Sequence, residues 1–550
     1  MQNVLPHIDL EKITDLEIRS VVILVLNCYE TAMKTIVDQS QKIQELKDEI
    51  AFLKGEQGMP DIKPTNKNKD ISSEKYHPNP KKKHEKTSRE NKINDKKIKI
   101  DRTVICTIDK NTLPPDAIRK GIEKTIVQNI IFKSDNVEYL RDVYYSPSQH
   151  KTYTAPLPYD YTGYIGSNLK TFIHIFHWDW DVTRRKLISG LASIGIDISH
   201  GMLNTILFEP AQIVILEKDN ILKAGLAGEY TQMDATGAKF FGQRYTTQII
   251  DSPDFTVFAT LAKKSRLHIL FALQGEPKDG LKYAYNAQTE KYLQHFKISL
   301  PDKDWLKNRF SDIAFVYEFD FLKIISKEHS TLYAKPNMFN KVCESFAFGY
   351  YFTQTDYPII EFLVSDDAKE YKMIALNQML CWIHDARYYN KLSPLSENHR
   401  TILNNFKDLY WSYYHLLQDY KRYPSVETAT ELDIKFNKLF VPATDYFDLN
   451  KEIERTKSNK IELLTVLKQP LLPLHNNASE LKAHVVVKKR DISLHTMSEL
   501  GTQVKDAMMS IIQTTKQLGV DTWKYISDLI NKKNEYSLAD LIYANQYNTS

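Results

Sequence analysis

The chain has 550 residues, 42% of them apolar, and carries 73 Lys or Arg against 69 Asp or Glu for a net charge of +4. That length exceeds what one compact core accommodates, so roughly two to four structural units are expected. Its four cysteines, Cys28, Cys106, Cys343 and Cys381, include no CxxC pair, which excludes a paired-cysteine redox or zinc motif and suits a reducing compartment. The aliphatic stretch Val21 to Leu26 is far shorter than the roughly 20 residues that cross a bilayer. Acidic residues stand where a signal peptide would carry basic ones, so a cytoplasmic protein without membrane attachment is expected.

Taken in chain order, Val22, Val25, Tyr29, Ala32, Ile36, Ile43, Leu46, Ile50 and Leu53 recur at heptad spacing, with Gln39 the polar exception. This predicts a coiled-coil oligomerisation helix over 1–55, with docking on its own chain as the alternative. Residues 56–102 read as a basic flexible linker. Between Lys63 and Arg102 there are 14 Lys or Arg against 6 Asp or Glu, which leaves the rest of the chain at −4. Such a run attracts phosphate without reading sequence. A small β-rich module is expected over 103–165 from runs such as Asp142-Val143-Tyr144-Tyr145.

The segment 166–222 is helical in pattern, with a break at Gly195 and Ser199 placed to cap a second helix, an outline similar to a helix-turn-helix. Arg184, Arg185 and Lys186 on its first helix are candidates for phosphate contact, and His200 and Asn204 on the second for bases. Glu229 to Asp234 then reads as a strand, followed by strand-like runs Tyr245 to Ile250 and Phe255 to Leu261. The apolar run Ile359 to Val364 ends at Ser365-Asp366. This order matches a ribonuclease-H-like core, in which the first and fourth strands are neighbours and Asp234 would meet Asp366. Glu480 falls in the first turn of a helix after Pro473. Ala478, Leu481 and Val485 are expected to face the sheet, with His484 beside Glu480. Three such acids would suit two Mg²⁺ or Mn²⁺ ions, roughly 3.5–4 Å apart, in phosphodiester chemistry.

These segments resemble the transposases of the insertion sequence 66 family. The likeness is carried by Gln232-Met233-Asp234-Ala235-Thr236-Gly237, by Ser365-Asp366-Asp367-Ala368-Lys369-Glu370-Tyr371 and by Leu474 to Leu481. It also includes Cys381-Trp382-Ile383-His384-Asp385-Ala386-Arg387, similar to the family's Cys-Trp-x-His-x-x-Arg block, and Ser498-x-x-Gly501. The resemblance implies a DDE-class polynucleotidyl transferase that cuts transposon ends and joins them to target DNA, with Asp234, Asp366 and Glu480 as catalytic metal ligands. Asp367 stands where the family has glycine and is the neighbouring alternative to Asp366. The resemblance further implies that Asn476 and Asn477 orient Glu480 or touch DNA, that Lys488, Lys489 and Arg490 remain from a basic block, and that His384 and Arg387 support the site. Double-stranded DNA, a homodimer or higher oligomer, and accessory proteins are the implied partners, with a location at the bacterial nucleoid.

The family's zinc-binding cysteine pairs are absent, so no structural zinc is expected. The fold expected is multidomain α+β. Its catalytic domain covers 223–505, with insertions about 275–357 and 393–469, and is followed by C-terminal helices over 506–550. Tyr410, Trp411, Tyr413 and Tyr414 in the second insertion are read as core before any role in stacking on bases. The alternative function is a domesticated or inactive transposase-derived DNA-binding protein.

Overall fold

The computed structural model describes residues 13–53, 100–108, 133–157, 164–531 and 536–549, with isolated positions between 114 and 130. The expected basic linker falls outside them except for its last three residues, as do the side chains of the heptad residues Leu46, Ile50 and Leu53. The molecule is mixed α/β, mostly helical, around one mixed five-stranded sheet. No helix among the described residues is long and apolar enough to cross a membrane.

Helix α1 (Leu16–Leu53) is opened by Asp15, whose carboxylate accepts the amides of Glu17 and Ile18. Of the β-rich module expected over 103–165, the described residues show one exposed hairpin, β1 (Val143–Ser146) with β2 (Lys151–Thr154). Four helices follow: α2 (Ser167–Trp178), α3 (Arg184–Ser193), α4 (His200–Phe208) and α5 (Ala211–Leu226). Ser199 caps α4 as expected, accepting the amide of Met202, and Thr183 caps α3. These helices share one apolar core with the sheet.

The sheet is built from β3 (Thr231–Phe240), β4 (Gln243–Asp251), β5 (Thr256–Leu261), β8 (Phe362–Ser365) and β9 (Asn377–Leu380), in the order β5-β4-β3-β8-β9. The meander β3-β4-β5 is antiparallel, whereas β8 and β9 run parallel to β3. Alternation along each strand feeds two cores. Met233, Ile250, Val257 and Leu363 face one side; Ile249, Phe258, Val364 and Met379 face the other.

Between β5 and β8 lie α6 (Arg266–Leu273) and then the first insertion. It comprises β6 (Lys282–Tyr283), α7 (Ala287–His295), α8 (Leu300–Phe310), β7 (Val316–Tyr317), α9 (Glu318–Glu328), α10 (Ser330–Tyr333) and α11 (Pro336–Tyr351). After β9 and α12 (Trp382–Lys391), the second insertion is wholly helical: α13 (Glu397–Arg422), α14 (Val426–Leu439), α15 (Phe447–Ser458) and α16 (Lys460–Leu463). Its aromatic cluster of Tyr410, Trp411, Tyr413 and Tyr414 is buried around Trp382, so these rings are core as expected.

Helix α17 (Asn477–Ser493) lies over β3 and β4, and α18 (Glu499–Gln517) lies along β5. Helices α19 (Thr522–Ile530) and α20 (Leu538–Thr549) return to α2 and α5. The boundary expected at 505 therefore falls inside α18, which is part of the sheet's own packing.

Candidate active site

Backbone register alone brings two of the expected acids together. Thr231 and Gln232 of β3 pair with Leu363 and Val364 of β8 in parallel. Continuing that register by two residues sets Asp234 beside Asp366, the first residue past β8. The β8 side chains Leu363, Val364 and Ser365 are buried, as befits a strand covered on both faces, so the chain first meets solvent at Asp366. The Asp234 carboxylate accepts the amide of Ala235 at 2.7 Å. Burial pushes its pKa up to about 6, and the negative charges of Asp366 and Glu480 add to the rise.

Asp366 accepts the amide of Ala368 at 3.1 Å, which turns the chain into the short 3-10 turn Lys369–Tyr371. Its neighbour is committed elsewhere. Tyr388 donates to both oxygens of Asp367 at 3.0 and 3.2 Å, and Arg455 stands 3.5 Å away. Of the two adjacent acids, Asp366 is thus the one that acts on Asp234.

Glu480 is in the first turn of α17, as expected, but of the three residues anticipated to face the sheet only Val485 packs there. Leu481 is 66% exposed and Ala478 is exposed, whereas Ser479, Val486 and Lys489 are buried and Ala483 and Val485 pack beside them. His484 is exposed and plays no part at Glu480. The expected sheet face was set about one residue out of phase, which turns a helix by 100°.

The residues that hold Glu480 come from α12. Arg387 donates to its two carboxylate oxygens at 3.0 and 3.2 Å and to His384 Nε2 at 2.8 Å. His384 and Arg387 are three residues apart on one helix face, which lets both reach the same carboxylate. Burial and then the Arg387 charge lower the His384 pKa, so its Nε2 serves as acceptor with the proton on Nδ1. Cys381, at the start of α12, accepts the amide of Asn476 at 3.3 Å, and Trp382 Nε1 donates to the Leu463 carbonyl. The Cys-Trp-x-His-x-x-Arg block is therefore a frame for Glu480.

Asn476 occupies the N-cap position of α17, yet its side chain does not cap the helix. Its Nδ2 donates instead to the Met233 carbonyl at 2.8 Å, tying the helix start to the strand residue before Asp234. Two residues that sequence reasoning missed complete the site. Tyr371 is buried, donates to Gln248 at 3.2 Å, and has its ionisation suppressed first by burial and then by Asp234 and Asp366. Lys264 stands 5.1 Å over the Tyr371 ring and is the cation that acts on Asp234. Nothing in the spacing of Lys264 signals this, because the loop after β5 returns it only in three dimensions.

In donor chemistry the set fits a hard divalent cation: two carboxylates at neighbouring strands and one on the first turn of a helix, gathered where burial makes negative charge costly. As the side chains stand, Glu480 is turned to Arg387, and no group of three His, Cys, Asp or Glu residues among the described ones is arranged to hold a metal ion.

No family model matches the sequence. A protein of Sinorhizobium fredii (strain NBRC 101917 / NGR234), described as the uncharacterized protein y4jO, is 31% identical over 316 residues, which are 56% of this chain and 94% of that one. The chain belongs to the family of y4jO.

In this member of the y4jO family, the residues expected to contact DNA divide by position. Arg185, Lys186, His200 and Lys488 are exposed. Arg184 donates to Asn204 at 2.9 Å and lies over the Phe208 ring, so that pair is held together at the surface of α3 and α4. Asn477 is half-buried, and Arg490 donates to the Gly237 carbonyl. Lys489 and Asn476 are interior residues. Lys489 is 4% exposed and ion-paired with Asp181 at 3.0 Å beneath Trp178, so its ammonium does not face outward.

Proposed function

We propose that the chain is a DNA transposase of the DDE class, acting through Asp234, Asp366 and Glu480 on a ribonuclease-H-like core. The observation that carries the reading is the meeting of Asp234 with Asp366 across adjacent parallel strands, with Glu480 electrostatically linked to Asp234. The sheet order β5-β4-β3-β8-β9, an antiparallel meander followed by two strands parallel to its first, is the order of that core and supports the same reading. So does the resemblance of the four sequence blocks to the insertion sequence 66 family.

In this proposal Asp234, Asp366 and Glu480 would hold two Mg²⁺ or Mn²⁺ ions, which supply activation of the attacking oxygen and stabilisation of the leaving oxygen when bound. The protein's own groups set the stage for that. Asp234 and Asp366 present fixed oxygens from the sheet. Arg387 holds the Glu480 carboxylate in place and would give up part of that contact as a cation takes over the charge balance. Double-stranded DNA, as transposon ends and target, is the proposed substrate, and the homodimer is the proposed working form.

The test is strand cleavage and joining on DNA bearing the element's own ends, with Mg²⁺ or Mn²⁺, beside a binding assay. Asp234→Asn, Asp366→Asn and Glu480→Gln are expected to lose at least about 10³-fold in activity while still binding DNA. Asp367→Asn is expected to retain activity. Wild-type protein that binds DNA but cleaves with no divalent metal would favour a domesticated DNA-binding protein, in which the Arg387–Glu480 pair is a permanent ion pair.

A further inference from the structure

A cavity of about 730 Å³ opens between α3 and α4 on one side and the ends of α17 and α18 on the other. Arg184, Arg185, Lys239, Lys489, Arg490 and Lys505 line it, and no Asp or Glu does. Four of these cations are already engaged: Lys489 with Asp181, Lys505 with Asp506 at 3.2 Å, Arg490 with the Gly237 carbonyl, and Arg184 with Asn204 at 2.9 Å. Arg185 on α3 and Lys239 on β3 make no ion pair among the described residues. Apolar groups, chiefly Trp178, Phe208, Met497 and Met509, line the same space. The Trp178 Nε1 is buried with no hydrogen-bond partner.

We propose that this cleft binds a short unpaired stretch of DNA strand, its phosphates on Arg185 and Lys239 and a base against the half-buried Phe208. The proposal rests on the DNA reading above and deepens it. Unpaired cations lining the same cleft as an aromatic ring is a combination that single-strand sites use, charge for the backbone and a π-face for a base. The volume lies within the roughly 300–1,000 Å³ range of small-molecule clefts, enough for a nucleotide or two and too small for a duplex.

Position supports the same conclusion. Lys239 is five residues along β3 from Asp234, about 17 Å at strand rise. Arg490 is ten residues along α17 from Glu480, about 15 Å at helix rise. Strand and helix agree, so a strand anchored in the cleft would reach the carboxylates within about five nucleotide steps.

The experiment titrates the full chain into a fluorescein-labelled ten-nucleotide oligothymidylate and follows anisotropy, with Trp fluorescence as a second signal and an unlabelled duplex of equal length as competitor. Arg185→Glu with Lys239→Glu, both exposed, is expected to weaken binding at least tenfold and to flatten its salt dependence. Lys278→Glu, an exposed cation away from the cleft, serves as control and is expected to bind as wild type. Affinity within twofold of wild type for the double variant, or a duplex that competes as well as the single strand, overturns the cleft assignment. A protein that binds the oligonucleotide in this way yet never cleaves DNA refutes the transposase reading and leaves the cleft assignment standing.

Discussion

Asp234 illustrates how a candidate catalytic residue works against the fold that holds it. Its pKa is pushed up to about 6 from an ordinary carboxylate value by burial and by the neighbouring acids. Between pH about 4 and 6 the folded chain therefore binds more protons than the unfolded chain, so stability falls as pH rises through that window and stays lowered above it. For metal-free protein, Asp234→Asn is expected to raise Tm by a few degrees at pH 8, with the gain vanishing at pH 4, in thermal scans with chelator present. A loss of stability at pH 8 would show that the charge is compensated in the fold. In the wild type, millimolar Mg²⁺ is expected to raise Tm at pH 8, and in Asp234→Asn to raise it less, because a cation bound only by folded protein stabilises it. At this scale the sequence was readable where backbone pattern decides. Asp366 follows a run whose strand character is plain and Asp234 lies within another, β3, which continues past it to Phe240, and parallel register then brings them together. Side-chain facing was less readable. Lys488, Lys489 and Arg490 look like one basic block, yet successive helix residues turn by 100°, which sends Lys488 to solvent and Lys489 into contact with Asp181.

Between elements, the contact of α18 with β5 shows how the sheet's edge is closed. The amides of Thr260, Phe258 and Thr256, alternate residues of the edge strand, donate to Asp506 at 2.7 Å, to Ser510 at 3.0 Å and to Thr514 at 3.1 Å. Four helix residues rise about 6 Å and two strand residues about 6.6 Å, so a polar side chain on every fourth helix position keeps step with every second strand amide. An edge strand left open would invite pairing with other chains. Ser510→Ala leaves the buried Phe258 amide without an acceptor and is expected to cost about 1–3 kcal/mol, measured by urea unfolding, and to speed exchange of that amide. No change in either would mean that the amide finds another acceptor. Asp506, Ser510 and Thr514 are visible in the sequence as polar residues at four-residue spacing along one line of the helix. Their partner was not visible, since β5 lies some 250 residues earlier and only the folded chain brings it alongside.

At the scale of the whole molecule, helix α1 carries two faces with different work. Leu26, Asn27 and Glu30 dock on the second insertion. Asn27 donates to the Asp445 carbonyl at 3.0 Å and accepts the Phe447 amide at 2.8 Å, while Glu30 accepts the amides of Leu395 and Ser396 at the start of α13. The negative charge of Glu30 suits that helix N-terminus. None of these three residues belongs to the heptad series. Val25 and Ile43, which do, are 60% and 54% exposed and lie on the other side of the helix. Docking on its own chain is thus seen, and the apolar residues left on the opposite face are where the proposed contact with a second α1 would lie. Deleting the helix would disturb the docked face as well as the seam, so point changes are the cleaner test. Val25→Lys with Ile43→Lys places charge at two seam positions and leaves Asn27 and Glu30 untouched. Light scattering of the full chain at micromolar concentration is expected to show twice the 64.0 kDa chain mass for wild type and the single chain mass for the double variant. An unchanged mass for the variant would remove α1 as the dimer contact. Under the transposase function proposed above, joining two ends would need two active sites held together, so the monomeric variant is further expected to keep binding single DNA ends while losing paired-end joining.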